Sequence, residues 1–408
     1  MKRILAGLYL ATISATAFSA PEEFSMGKLW GYPACNNHFV DQGCRVGAFS
    51  TIPPHTGSAV NPNSTREVRK SNNISELPRY AEDFDTAFID EYFASQKALG
   101  LLILKNGKVV YENYQYGRKS NMVFRGFSMS KTVVGMLTGI ALDKGHIKSL
   151  DDTADTYFQE LSGTAYGATT IKNLLTMRSG IEYKEKADSS AIPDRRRYWW
   201  SMNNSYYKGP DAIIEIARYF NKRSYEQGTR FNYSTLETDI LARVLVKATG
   251  MTLSEMTEKW IWKDIGAEFS AYWMVFDSDS LEHGGGGLYA SLRDWGRFAL
   301  MLSNKGRVKD KQIISEKYIE DATSLIRQNR ELLPNKLHYG YQTWILPGPH
   351  SRRLFALYGS FGQSILIQPS SGVIIVQLSA YDTEERDPRY SLPKAQFSEK
   401  LFKMLGSR

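Results

Sequence analysis

The chain has 408 residues, of which 42% are hydrophobic and 23% charged, and its formal net charge is +8. This composition is ordinary for a globular protein, and the length suits one large domain or two closely packed ones. It excludes a disordered or collagen-like chain. Because no basic helix interleaved with aromatic residues accompanies the positive charge, we expect no nucleic-acid partner.

Residues 1–20 have the outline of a secretory signal peptide. Lys2 and Arg3 precede an apolar stretch that is followed by small residues. A membrane anchor is the alternative, but the apolar stretch is short for a bilayer span. We therefore predict cleavage between Ala17 and Ala20, and a periplasmic or secreted mature protein without a transmembrane segment.

Residues 21–80 are predicted to be an irregular N-terminal segment, because its Pro, Ser, Thr and Asn residues show little periodicity. This segment contains the two cysteines of the chain, Cys35 and Cys44. In an oxidising compartment such a close pair predicts a disulfide, with two free thiols as the alternative. A zinc site is disfavoured because only His38 lies nearby and structural zinc takes four ligands. We expect neither a metal nor a cofactor.

Two strand pairs are predicted, one towards each end of the chain. The first pair flanks Asn106-Gly107, a strong hairpin signal, and the second flanks a Ser-Ser-Gly turn at 370–372. Apolar residues at helical spacing predict a helix over 83–99, before the first pair, and another over 392–405.

The region between the two strand pairs, about 126 to 330, is mostly helical in pattern. We therefore predict an α+β domain over residues 81–385, with a helical insertion at about 150–290. Its antiparallel sheet comes from both chain termini and is flanked by helices. The last residues, 386–408, are predicted to form a helix that packs on the sheet.

Ser128 and Lys131 are the first candidates for catalysis, because they form an S-x-x-K at the start of an apolar helix predicted over 128–144. Residues three apart share a helix face, so the hydroxyl and the amine can meet. Unpaired N–H groups at a helix N-terminus can stabilise an oxyanion. Burial lowers the pKa of a lysine and makes it a proton acceptor. Ser130 is the competing nucleophile, but it points about 100° away around the helix.

Tyr233 is the next candidate. Residues 231–236 read FNYSTL and precede a helix predicted over 235–249, which Gly250 ends. With this motif the chain resembles the serine β-lactamase and penicillin-binding superfamily. The resemblance is closest to its class C-like branch with related esterases, D-amino-acid peptidases and aminohexanoate-oligomer hydrolases. Tyr233 matches the tyrosine of the family's Tyr-x-Asn motif, with a packed aromatic as the alternative. Thr235 stands in place of the asparagine, which implies a substrate contact.

Leu357-Tyr358-Gly359 is the best match to the family's third motif, Lys-Thr-Gly or His-x-Gly. The resemblance implies that the Ser360 N–H joins that of Ser128 in an oxyanion hole. It also implies that Tyr358 contacts substrate and that Gly359 allows close backbone approach to it. Leu357 replaces the cation with which β-lactamases and carboxypeptidases help to hold a substrate carboxylate.

The resemblance implies a hydrolase of small esters or amides that works through a Ser128 acyl-enzyme. Whether Lys131 or Tyr233 acts as the base stays open at this point. A β-lactam hydrolase or D-amino-acid peptidase acting on envelope peptides is the alternative enzyme. An inactive protein that binds a cell-wall fragment is the alternative outside enzymes, and the joint presence of the serine, lysine and tyrosine argues against it. Trp199 is either part of an aromatic substrate pocket or a packing residue.

Overall fold

The computed structural model describes residues 23–35, 41–52, 65–81, 84–186, 192–203, 209, 212–276, 278–324, 337–348, 352–383 and 387–406. The predicted signal peptide, residues 1–20, lies outside these ranges. Within them, no helix combines the length and the apolar character that crossing a membrane requires.

The described residues form both β-strands and α-helices. The strands are β1 (Thr65–Val68), β2 (Ala98–Lys105), β3 (Lys108–Tyr114), β4 (Val123–Arg125), β5 (Ala271–Met274), β6 (Leu288–Ser291), β7 (Arg307–Val308), β8 (Lys311–Gln312), β9 (His338–Tyr339), β10 (Trp344–Leu346), β11 (Leu354–Tyr358), β12 (Ser364–Gln368) and β13 (Val373–Ser379). The α-helices are α1 (Gln42–Ser50), α2 (Ala87–Ser95), α3 (Met129–Asp143), α4 (Ile171–Leu175), α5 (Asp194–Asn203), α6 (Ala212–Tyr219), α7 (Thr235–Thr249), α8 (Leu253–Thr257), α9 (Leu292–Ser303), α10 (Glu316–Thr323) and α11 (Pro388–Gly406).

The main sheet has seven antiparallel strands in the order β3-β2-β13-β12-β11-β10-β9. The predicted sheet built from both chain termini is therefore confirmed, because β2 pairs along its length with β13. The β2–β3 turn has positive φ at Asn106 (50°) and Gly107 (75°), as the Asn-Gly pair predicts. On one face of the sheet, Phe397 and Leu401 of α11 share a hydrophobic cluster with Ile103 of β2. The other face packs against α9 and α3.

The structure also contains a second sheet, in the order β1-β5-β6-β4, which the sequence does not predict. It uses β1 from the segment predicted to be irregular, and β5 and β6 from within or at the edge of the predicted helical insertion. These strands have four residues each or fewer, too short for a clear alternation. Their partners lie far apart in sequence, since Val68 pairs with Ala271. Local pattern therefore does not reveal them.

The N-terminal segment supports the region around the predicted nucleophile. Cys35 and Cys44 are joined in a disulfide, which ties α1 to the chain before it. The ring of Phe49, near the end of α1, lies 4.8 Å from that of Phe127 and 5.1 Å from that of Phe361. One ring therefore packs against the residue before Ser128 and the residue after Ser360.

The two helices that begin at the predicted site have nearly the predicted bounds. Ser128 is the N-cap of α3, which ends at Asp143. Helix α7 begins at Thr235 after the N-cap Ser234, whose hydroxyl accepts the Glu237 N–H. It ends before Gly250, which adopts the left-handed conformation. Both helices are buried along most of their length, so their first turns are held in place by the core.

Candidate active site

Ser128 and Lys131 lie together at the N-terminus of α3. Lys131 Nζ donates to Ser128 Oγ over 3.1 Å. Phe127 has a positive φ of 47°, which turns the chain sharply into the helix. Ser130 faces away from this pair: its hydroxyl is fully buried and accepts the Leu288 N–H over 3.0 Å.

Lys131 is 1% exposed and has two further partners. Its Nζ donates to the Gly285 carbonyl oxygen over 2.5 Å and to Thr235 Oγ1 over 3.1 Å. Burial lowers the pKa of Lys131 to about 8, although the negative charges of Glu185 and Asp239 oppose this effect. Lys131 therefore loses its proton more readily than an exposed lysine does.

Tyr233 faces the lysine, with Lys131 Nζ 5.2 Å from its ring centroid. Burial raises the pKa of Tyr233, and the charge of Glu185 raises it further, while a hydrogen bond with Ser128 and the charge of Arg195 lower it. The phenol thus keeps its proton near neutral pH. Of the two groups, the lysine is the one poised to accept a proton.

An aromatic cluster supports Tyr233. Its ring stacks on Trp344 at 5.6 Å and meets Tyr339 edge-on at 6.0 Å. Phe231 packs against the same two rings, and Tyr358 at the end of β11 lies 6.5 Å from Trp344. Tyr233 is therefore both packed and placed at the serine–lysine pair.

Gly359 follows β11 and touches the nucleophile segment itself. A Cβ at this position would lie 2.3 Å from the Gly126 carbonyl oxygen. The protein's own backbone therefore requires a glycine at this position, and the expected approach of a substrate to Gly359 stays a prediction. The turn after Gly359 begins with Ser360, and its next residue, Phe361, packs against Phe127 at 5.5 Å. The segment that contains Ser360 is thereby held beside the start of α3.

Thr235 contacts two charged side chains of the protein, and its expected contact with substrate stays a prediction. Its N–H donates to Glu185 Oε2 over 2.8 Å, and its hydroxyl donates to Glu185 Oε1. The same hydroxyl accepts from Lys131. Thr235 therefore links the lysine to a carboxylate.

Glu185 is a site residue that sequence reasoning missed. It lies in the loop after Tyr183, and its side chain is 14% exposed, with Arg195 Nε 3.9 Å away. In the sequence it sits in a run of alternating charges, Lys184 to Lys186, that reads as a solvated loop. Only the folded chain brings it to Thr235, 50 residues later.

Asp239 and His283 hold the glycine-rich turn that Lys131 contacts. Asp239 accepts from His283 Nδ1 over 3.1 Å and from the Gly285 N–H over 3.1 Å. The Gly285 carbonyl is thus fixed towards the lysine. Trp199 packs against His283, with 5.0 Å between the ring centroids, and its expected role in a substrate pocket stays a prediction.

Leu357, in the position of the family's cation, is 1% exposed and lies in the hydrophobic core with Phe355 and Ile365. It therefore supplies no charge to the site.

A serine and a buried lysine at a helix N-terminus, faced by a tyrosine beside an antiparallel sheet, define a serine hydrolase with a β-lactamase-like fold. The sequence model described as Beta-lactamase matches residues 86–396. The chain therefore belongs to the Beta-lactamase family.

Individual relatives agree with this assignment. The 6-aminohexanoate-dimer hydrolase of Paenarthrobacter ureafaciens is 24% identical over 294 residues, which are 69% of this chain and 72% of the relative. A solved Bacillus anthracis protein, assigned by name to the 6-aminohexanoate-dimer hydrolases, has 27% identity and a TM-score of 0.71, covering 83% of this chain and 91% of its own. The octameric penicillin-binding protein homologue from Pyrococcus abyssi shares the fold, with 20% identity, a TM-score of 0.59 and 76% of each chain covered.

Proposed function

We propose that this protein hydrolyses small linear amides and esters through an acyl-enzyme on Ser128. The observation that carries the proposal is the 3.1 Å contact between Ser128 Oγ and a buried amine whose pKa is lowered to about 8. The substrate class draws support from the relatives, two of which have names that refer to an amide, the 6-aminohexanoate dimer.

In the proposed acylation, neutral Lys131 accepts the Ser128 proton as Oγ bonds to the substrate carbonyl carbon. The N–H groups of Ser128 and Ser360 hold the oxyanion of the tetrahedral intermediate. Tyr233 gives its phenolic proton to the leaving nitrogen or oxygen, and the Lys131 ammonium replaces that proton. Water then attacks the ester along the same path in reverse, which restores the free serine.

Leu357 supplies no cation, which disfavours substrates that carry a carboxylate close to the scissile bond, as β-lactams and D-Ala-D-Ala peptides do. A charge-assisted hydrogen bond to a carboxylate is worth about 1.5–3 kcal/mol, or about 10- to 150-fold in specificity. We therefore propose that linear amides and esters are better substrates than β-lactams and D-Ala-D-Ala peptides. Hydrolysis of β-lactams is the second candidate, because the matched family carries that name.

We further propose that the protein is exported. The outline of the signal peptide supports this, and so does the disulfide between Cys35 and Cys44, since such bonds persist in oxidising compartments. Fractionation of expressing cells tests it: the expected result is a shortened chain in the periplasm or medium, and a full-length cytoplasmic chain would refute it.

Parallel assays of p-nitrophenyl butyrate, the linear 6-aminohexanoate dimer and nitrocefin test the substrate class. We expect kcat/KM for the ester or the linear amide to exceed that for nitrocefin by at least about tenfold. Ser128→Ala is the control for each activity. Efficient turnover of nitrocefin beside negligible cleavage of the other two would overturn the preferred substrate class and establish the second candidate.

A further inference from the structure

We infer that Glu185 is a positioning residue that, through Thr235, directs the lone pair of neutral Lys131 at the Ser128 hydroxyl. The inference rests on the proposed function, in which Lys131 accepts the Ser128 proton. It adds a residue for which neither the sequence motifs nor the relatives' names provide a role.

The argument starts from the three partners of Lys131 Nζ. A neutral amine has two N–H donors and one lone pair, so each of the three partners takes one of these positions. The Gly285 carbonyl, at 2.5 Å, can only accept, so it takes one N–H. The hydroxyls of Ser128 and Thr235, both at 3.1 Å, can each donate or accept. Geometry at the lysine alone therefore leaves two arrangements, of which only one points the lone pair at the nucleophile.

Glu185 removes this ambiguity. An ionised carboxylate has only acceptors, and here it accepts both the N–H and the hydroxyl proton of Thr235. With its proton committed to Glu185, the Thr235 oxygen faces Lys131 as an acceptor and takes the second N–H. The lone pair is then left for Ser128, whose proton must point towards the amine.

Without the carboxylate, the Thr235 hydroxyl is free to rotate and to donate its proton to Lys131. The lone pair of Lys131 would then accept the Thr235 hydroxyl proton, and an N–H of Lys131 would point at Ser128 Oγ. That arrangement cannot remove the serine proton. Glu185 thus acts as the orienting third group that activated nucleophile–base pairs use.

Glu185→Gln tests the inference, because it keeps the size of the side chain but replaces one acceptor oxygen by an NH2 donor, so the N–H and the hydroxyl of Thr235 can no longer both be accepted. We expect the rate at which a fluorophosphonate labels Ser128 to fall by at least ~10-fold, since orientation of a general base is part of its 10²–10⁴-fold contribution. This probe forms a Ser128 Oγ–phosphorus bond and releases fluoride, with the serine proton passing to Lys131. Glu182→Gln is the matched control, since Glu182 lies on the same loop with its side chain 50% exposed.

Thr235→Asn provides the decisive second background. An asparagine carbonyl oxygen can accept from Lys131 without a carboxylate to orient it. In that background we expect Glu185→Gln to slow labelling less than about threefold, a rescue that a merely structural role for Glu185 would not show. Equal labelling of wild type and Glu185→Gln would overturn the inference alone, and so would an equal loss in both backgrounds. Failure of the wild type to label at Ser128 would instead overturn the proposed function.

Discussion

Lys131 and Lys394 lie in two different regions, and burial lowers the pKa of both lysines, to about 8 and about 7 respectively. Lys394, on α11, donates to the Gly362 carbonyl over 2.8 Å and to Ser364 Oγ over 3.2 Å. It ties the helix to the turn that follows Ser360. Lys131 instead contacts a serine hydroxyl at a helix N-terminus, with a tyrosine facing it.

A lowered pKa alone therefore does not mark a lysine as a catalytic base. Both amines lose hydration, but only Lys131 has a hydroxyl partner whose neighbouring N–H groups could stabilise an oxyanion. From this comparison we propose that Lys131 handles a proton and that Lys394 stabilises the turn after Ser360.

Exchange of each lysine for methionine gives the largest expected effect. Lys131→Met should lower kcat/KM for p-nitrophenyl butyrate by at least about 100-fold, because the general base is gone. Lys394→Met should lower it by less than about tenfold. It should instead reduce the free energy of unfolding by about 1–3 kcal/mol, since the Gly362 carbonyl loses its partner. Steady-state kinetics measures kcat/KM, and urea unfolding measures the free energy of unfolding. Similar losses of activity in the two variants would show that the two lysines do not differ in role.

The pH dependence of acylation also distinguishes Lys131 from Lys394. Lys131 must be neutral to accept a proton, so the labelling rate should rise with pH and level off above an apparent pKa of about 8. Below that pH the ammonium form dominates and the rate falls about tenfold per pH unit. Lys394→Met should leave this profile in place. If the labelling rate of Lys394→Met no longer rose with pH, the titrating group would be Lys394 and the prediction for Lys131 would be wrong.

A variant in the N-terminal segment should change acylation least; there Phe49 of α1 packs against both Phe127 and Phe361. Replacing Cys35 and Cys44 together by serine should lower the free energy of unfolding by about 2–3 kcal/mol on the loop-entropy model. Phe49 packs beside the segments that contain Ser128 and Ser360, and neither cysteine is among the described hydrogen-bond partners of Lys131 Nζ. The apparent pKa of acylation should therefore stay near its wild-type value. Urea unfolding with and without reductant measures the stability term; unchanged stability on reduction would remove the structural role of the disulfide.

Sequence reasoning identified those parts of the site that are local in the chain. Ser128 and Lys131 are three residues apart on one helix, and Tyr233 immediately precedes another, so spacing and motif suffice. Glu185 comes from a charged loop, and its partner Thr235 lies 50 residues away. The Asp239–His283 pair spans 44 residues. Contacts of this kind arise from tertiary packing and leave no periodic signal.

The fold shows the same division. The Asn106-Gly107 hairpin and the helix that Gly250 ends follow from local turn and capping chemistry. The second sheet depends on pairing β1 with β5, about 200 residues apart, and its strands are too short to alternate visibly. The close approach of Gly359 to Gly126 likewise appears only when the two segments are brought together.

The assignment of Ser128 as the nucleophile can be tested by fluorophosphonate labelling of the wild type, Ser128→Ala and Ser130→Ala. Mass spectrometry of the labelled peptide identifies the modified serine. The wild type should carry one label, on Ser128. Ser130→Ala should keep most of the labelling, because its hydroxyl is buried and accepts from Leu288. Ser128→Ala should lose it by at least about 1000-fold in rate. A label that persists in Ser128→Ala and disappears in Ser130→Ala would contradict the assignment of the nucleophile.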